Sequence, residues 1–214
     1  MPDHYYTQTP TSQSRPALLH VELLGEHMVF HTDAGVFSRT ELDPGSALLI
    51  ESAGNLSGQV VDMGCGWGPI GLFLARKNPS AQFLMADVNE RAVELTRRNI
   101  RENQIPNARA LQSDGLAALP ETFDYFISNP PIRAGKKVIY DWFAQAQRRL
   151  APGGALMIVI RKQQGAPSAL SYLKEIFGDA GVIARSLSLI HILHAAAADY
   201  RTVLIEVCRS AGRT

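Results

Sequence analysis

Charge of one sign is nearly absent from this 214-residue chain: 21 basic side chains against 20 acidic ones leave a net charge of +1. No global field drives such a molecule onto nucleic acid, so any contact of that kind must come from a local basic patch. Cysteine is equally scarce. The two present, Cys65 and Cys208, have neither CxxC nor Cys/His ligand spacing, which argues against a disulfide framework and a structural zinc site. A reducing, cytoplasmic setting is the simplest expectation. His20, His27, His31, His191 and His194 also lack metal-ligand spacing, and no metal is expected. Long apolar runs are missing too. Residues 1–16 are polar and rich in Pro, Ser and Thr, unlike a signal peptide. The apolar stretch from Leu187 to Ala198 is interrupted by His191 and His194 and is too short to span a bilayer, so no membrane association is expected. No internal repeat or low-complexity linker follows residue 55.

What is there is an apolar fraction of 46%, enough for one compact domain with a sizeable core. From about Gln59 short β-branched or aromatic runs alternate with longer amphipathic ones, the pattern of a parallel sheet built from β-α units. Strands are predicted at Val60 to Met63, Gln82 to Ala86, Ala108 to Gln112, Phe123 to Ser128 and Ala155 to Ile160. Helices are predicted over Pro69 to Arg76, Glu90 to Glu102, Lys137 to Leu150 and Ser168 to Phe177, the third stopped by Pro152-Gly153-Gly154. Val182 to Ile192 and Tyr200 to Val207 have no helix-length segment between them and suit an antiparallel end to the sheet. Residues 1–55 read as an N-terminal extension with a β-hairpin packed on a main domain of residues 56–214.

Two segments carry chemistry. Asp62-Met63-Gly64-Cys65-Gly66-Trp67-Gly68 sits where a strand turns into a helix, at the carboxyl edge where open α/β sheets bind ligands. Glycines there allow close backbone approach, and the helix N-terminus favours a carboxylate. The geometry suits a dinucleotide or S-adenosylmethionine. Gly66 to Gly71 even satisfies GxGxxG, with Asp87 at the distance of a ribose-binding acid, so a nicotinamide dehydrogenase is a competing reading. Asp62 inside the strand end and Pro69 directly after Gly68 oppose it.

The second segment, Asn129-Pro130-Pro131-Ile132, follows the strand Phe123 to Ser128 and so reaches the same edge. An exocyclic amine is a poor nucleophile because its lone pair is delocalised. The Asn129 side-chain oxygen and the Pro130 carbonyl are acceptors able to hold the two amine hydrogens, with Pro131 fixing the turn that aims them. Attack on a sulfonium methyl then needs alignment more than a strong base.

At these residues the chain resembles class I S-adenosylmethionine-dependent amino methyltransferases, and more narrowly the ribosomal small-subunit (16S) RNA guanine-N2 methyltransferase family in its single-domain form. The narrower resemblance is carried by residues 129–136 (NPPIRAGK), by Thr32 to Ser38 (TDAGVFS) and by Gln164-Gly165-Ala166, and extends from His4-Tyr5-Tyr6 to the terminal strand. It implies a Rossmann-like fold with a seven-stranded, mostly parallel sheet and a C-terminal antiparallel hairpin. It implies S-adenosylmethionine as cofactor and ribosomal RNA or the small ribosomal subunit as partner. Asp62 would orient the loop and the methionine amino group. Gly64 and Gly66 would pass the methionine moiety, Asp87 would accept from the ribose hydroxyls, Ser113 and Asp114 would meet the adenine, and Cys65, Gly68, Val88 and Asn129 would complete the cofactor site. Asn129, Pro130 and Pro131 would be catalytic. Phe37, Ile132, Arg133 and Lys136 would meet the substrate, with Arg161 and Lys162 as further phosphate contacts.

Two departures stand out. Many relatives carry an aromatic residue where this chain has Ile132, which leaves the base-stacking ring to come from elsewhere. Larger family members also carry a second, N-terminal methyltransferase-like domain, which is not expected from the residues of this sequence. The alternatives to RNA guanine methylation are a protein glutamine N5-methyltransferase, for which Ile132, Arg133 and Lys136 are poor matches, and a non-catalytic RNA-binding assembly factor.

Overall fold

A computed structural model describes residues 7–178, 180–186 and 202–208. The chain opens with a hairpin, β1 (Ala17–Leu23) and β2 (Glu26–Thr32). Its two-residue turn, Leu24-Gly25, holds φ of 54° and 77°, the doubly positive geometry that matches strand twist in a tight hairpin. Helix α1 (Pro44–Ser52) follows, started by Asp43, whose carboxylate accepts from the Ser46 N–H at 3.0 Å, and by Pro44 in the first turn.

The sheet then builds by β-α steps: β3 (Gln59–Met63), α2 (Pro69–Lys77), β4 (Gln82–Asp87), α3 (Glu90–Glu102), β5 (Ala108–Gln112), β6 (Phe123–Ser128), α4 (Lys136–Arg149), β7 (Leu150–Arg161) and α5 (Ala166–Phe177). Five strands run parallel in the order β5-β4-β3-β6-β7. β9 (Thr202–Cys208) pairs antiparallel with β7, and β8 (Gly181–Ser186) antiparallel with β9. The main sheet thus has seven strands, five of them parallel, with β9 and β8 forming an antiparallel edge from the C-terminal part of the chain. The N-terminal β1–β2 hairpin is a separate two-stranded sheet and not part of it. Residues 187–201, which include the latter half of the expected run Val182 to Ile192, the first two residues of the run Tyr200 to Val207, and His191 and His194, lie outside the described residues, as do His4, Tyr5 and Tyr6.

Interior strands are buried on both faces, and alternation sends successive residues to opposite cores. Val60 joins Phe30, Trp67 and Phe73 beneath α1, α2 and the hairpin, whereas Val61 joins Phe126, Phe143 and Leu173 beneath α4 and α5. The predicted elements recur with small shifts, except that β7 begins at Leu150 rather than Ala155. Phe123 pairs with Leu150 and Tyr125 with Ala155, so the ladder is broken by an irregularity that takes up Pro152-Gly153-Gly154. Among the described residues no helix is long and apolar enough to cross a membrane.

Candidate active site at the carboxyl edge of the sheet

β3, β4 and β6 all end at one cavity of about 280 Å³. The glycine loop after β3 forms one wall. Gly64 and Gly66 line the cavity with φ of 73° and 60°, and a Cβ placed on Gly66 would find nothing within 4 Å. The loop thus offers bare backbone to an occupant. A Cβ on Gly64 would lie 3.8 Å from Pro131 Cδ, so the glycine loop and the Asn-Pro-Pro segment face each other with room for about one methyl group between them.

Two buried carboxylates organise the loop. Asp62 Oδ2 accepts from Gly71 N at 2.9 Å, pinning the first turn of α2 to the strand beneath, while its Oδ1 is buried without a partner. Burial is the main cause that raises the Asp62 carboxyl to about 7, with the nearby Asp87 charge adding to it and the Gly71 N–H opposing. Asp62 is only 1% exposed and lies behind the loop rather than on the cavity wall, so its visible work is to orient the loop. Asp87, at the end of β4, does line the cavity. Its Oδ2 accepts from Gly66 N and its Oδ1 from Asn89 N, both at 2.9 Å. Desolvation pushes it up to about 6 against the pull of the Asn89, Gly66 and Val88 N–H groups. Asn89, not Asp87, caps α3.

Of the other expected cofactor residues, Cys65, Val88 and Asp114 line the cavity. Cys65 is buried, and its sulfur lies 3.7 Å from Thr96 Oγ1; burial, with the Asp87 and Asp62 charges, holds the thiol well above its ordinary range. Gly68 is instead packed behind the wall, where a Cβ would meet Thr96 Cγ2 at 3.1 Å. Ser113 is turned into its own loop, donating to Gly115 O at 2.7 Å and accepting from Ala118 N at 3.1 Å.

Asn129, Pro130 and Pro131 all line the cavity. Ser128 Oγ donates to Met63 O at 2.7 Å, tying the end of β6 to the end of β3 immediately before Asn129. Asn129 Nδ2 donates to Asp43 Oδ2 and to Ser46 Oγ, both at 3.0 Å, and Arg161 Nη2 lies 3.3 Å from Asp43 Oδ1. Arg161, expected beside phosphate, thus pairs with Asp43. Asp43 and Ser46 also line the cavity and were missed by the sequence reading. The signal for them was present: Asp before Pro at a helix start is a capping pattern.

The expected substrate residues divide. Phe37 lines the cavity and is 41% exposed, and its carbonyl accepts from Trp67 Nε1 at 3.0 Å, which fastens this upstream segment to the glycine loop. Ile132 packs against the core under α4. Arg133 is exposed, and Lys136 Nζ sits 5.0 Å from the centre of the Tyr140 ring. Neither lines the cavity, whereas Ala134, Val138 and Trp142, which the sequence did not single out, do. Among the described residues no group of His, Cys, Asp and Glu is arranged to hold a metal.

A bare-backbone loop facing an Asn-Pro-Pro turn, with an acid at the end of the next strand, is the ligand edge of a class I methyltransferase. The comparisons agree: the model of the methyltransferase small domain matches residues 27–189, and the chain belongs to that family of S-adenosylmethionine-dependent methyltransferases. The Bacillus subtilis protein YbxB is 43% identical over 187 residues, covering 86% of this chain and 93% of that one. Ribosomal RNA small subunit methyltransferase C of Haemophilus influenzae is 36% identical over 169 residues, covering 75% of this chain and 49% of its own. The T. thermophilus 16S rRNA N2 methyltransferase RsmC, solved with AdoMet and guanosine, superposes with a TM-score of 0.77 at 26% identity, covering 94% of this chain and 52% of its own. The chain therefore spans about half the length of the ribosomal RNA methyltransferases it matches.

Proposed function

We propose that this chain methylates the exocyclic N2 of a guanine in 16S ribosomal RNA, free or within the small subunit. The observation that carries the reading is that Asn129, Pro130 and Pro131 share one cavity with Gly64, Gly66 and Asp87. The resemblance over residues 129–136 and the likeness to RsmC and its Haemophilus counterpart support guanine as the target.

The residues present fit S-adenosylmethionine: an acceptor at Asp87 for ribose hydroxyls, Asp114 for the adenine amine, and a backbone cradle at Gly64 and Gly66 for the methionine arm. When bound, the cofactor would supply an electrophilic methyl group to the amine nitrogen, the electron pair of the broken carbon–sulfur bond staying on sulfur and one amine proton passing to solvent. The chain itself holds and aligns. Asn129 Oδ1 and the Pro130 carbonyl accept the two amine hydrogens, which turns the nitrogen lone pair out of the ring plane and toward the methyl group. Pro131 faces the glycine loop and keeps these acceptors at the cofactor wall. Phe37, the most exposed of the aromatic rings lining the cavity, is the one we assign to stack on the base, Ile132 being packed against the core. The base must be unpaired or flipped to enter. Arg133 and Lys136 stand outside the cavity, where the backbone of such a nucleotide would leave it.

Purified small ribosomal subunits and labelled S-adenosylmethionine test this. N2-methylguanosine in the digested RNA is the expected product. Label confined to protein would favour the glutamine reading, and cofactor binding without any transfer would favour a non-catalytic assembly factor; either result overturns the proposal. Asn129→Ala is expected to keep cofactor binding and to lose about a hundredfold or more in transfer rate.

A further inference from the structure

A carboxamide turned by 180° keeps its shape but exchanges a donor for an acceptor, so the orientation of Asn129 decides what chemistry the cavity accepts. Its Nδ2 donates to Asp43 Oδ2 and Ser46 Oγ, both at 3.0 Å. The reverse orientation would set Oδ1 against a carboxylate oxygen at the same distance with no proton between them. Asp43 is not free to move aside, since Ser46 N donates to its Oδ2 at 3.0 Å and Arg161 Nη2 reaches its Oδ1 at 3.3 Å. Both donor hydrogens of Asn129 are thereby spent on α1, and the oxygen is the amide atom left for a substrate.

We propose that Asp43 and Ser46 are positioning residues that lock the Asn129 amide with its oxygen toward the substrate, making the site selective for a group that brings N–H donors over one that brings only acceptors. The inference rests on the proposed role of Asn129 in amine methylation and extends it to residues 86 and 83 positions upstream. It also gives Arg161 a task, that of holding the carboxylate that holds the amide.

Asp43→Ser separates this task from helix capping, because serine is as good an N-cap as aspartate yet withdraws the acceptor that reaches Asn129. In that variant the melting temperature and the S-adenosylhomocysteine affinity are expected to stay near wild type. With small ribosomal subunits as substrate, kcat is expected to fall by at least about tenfold while KM changes by less than about threefold. In cofactor-free protein, the side-chain N–H resonances of Asn129 should move upfield and exchange faster with water. Ser46→Ala gives an independent reading. It removes the second acceptor of Asn129 Nδ2 while leaving the Asp43 cap on the residue 46 N–H in place, so kcat is expected to fall by about threefold or more at nearly constant KM, with the Asn129 resonances moving in the same direction as in Asp43→Ser.

Wild-type kcat in Asp43→Ser, unmoved Asn129 resonances, or wild-type kcat in Ser46→Ala each overturns the lock. Loss of S-adenosylhomocysteine binding in a folded Asp43→Ser protein also overturns it, by giving Asp43 a role in the cofactor wall. If wild type transfers nothing to small subunits but the resonances move, the lock stands and the substrate reading fails. If Asn129→Ala transfers at the wild-type rate, the catalytic role of Asn129 fails and the lock's function with it.

Discussion

Asp62 and Asp87 are buried acids whose ordinary value of 3.8 is raised by desolvation, to about 7 and about 6. For Asp62 the folded state favours the protonated form, so its contribution to stability is complete below the unfolded value and is lost as pH rises through the folded one. Between about pH 4 and pH 7 the Asp62→Asn variant is expected to show a shallower fall in unfolding free energy than wild type, by up to about 4 kcal/mol, in urea titrations. An equal slope in both proteins would mean that Asp62 is ionised throughout. Asp87 gives the corresponding effect on binding. If Asp87 accepts ribose hydroxyls as proposed, binding favours its ionised form, so S-adenosylhomocysteine affinity should drop about tenfold at one pH unit below 6 and level off above neutrality, as calorimetry would read. Asp87→Asn should bind weakly at every pH. Gly71 belongs at this scale too, because an added Cβ would meet Met85 Cε at 2.6 Å and Asp62 Oδ2 at 2.9 Å. Gly71→Ala is expected to cost about 1–3 kcal/mol of stability in denaturant unfolding, through overpacking of helix on strand.

At the scale of elements, α3 serves the hairpin as a substitute strand. Asn99 Oδ1 accepts from His31 N at 2.7 Å and its Nδ2 donates to His31 O at 3.0 Å. One helical turn on, Asn103 does the same for Val29, at 3.0 and 2.7 Å. Two amides four residues apart thus satisfy the free edge of β2, which would otherwise present unpaired backbone groups. Asn103→Ala is expected to destabilise the protein by about 1–3 kcal/mol and to raise amide exchange at Val29 more than in β3; uniform exchange would refute a local role. This joint was not legible in the sequence, where Asn99 and Asn103 look like ordinary polar positions of an amphipathic helix. The parallel strands were legible because their apolar runs are short, β-branched and spaced by helices, and α3 was found to the residue because its apolar stripe is unbroken. Helix α1 escaped notice because it is only nine residues long and lies in a segment taken for an extension, although Asp43-Pro44 marks its start. The early start of β7 was hidden by Pro152-Gly153-Gly154, a breaker that the sheet absorbs as an irregularity. At the site, Gly64, Cys65, Gly66, Asp87 and Asn129 to Pro131 lie on the wall, whereas Asp62, Gly68, Ser113 and Ile132 turn inward and Arg133 and Lys136 stand outside it, a choice made by packing that spacing does not encode.

The chain has a net charge of +1, so a grip on RNA of the kind proposed would have to be local. Arg133 and Lys136, if they hold phosphates, act on binding and not on the chemical step. Alanine at both is expected to raise KM for small subunits several-fold at nearly constant kcat, and to flatten the dependence of binding on salt by a slope of about 2. An unchanged salt dependence would place the RNA on another face. Size and charge leave one property that needs no partner to exploit. The chain has two tryptophans, Trp67 and Trp142, and both stand on the wall of the same cavity, the first bonded to the backbone of Phe37 and the second against the glycine loop. Every photon of indole emission therefore originates at the site, so occupancy can be followed optically in unlabelled protein, with Trp142→Phe leaving a single lamp on the Phe37 side.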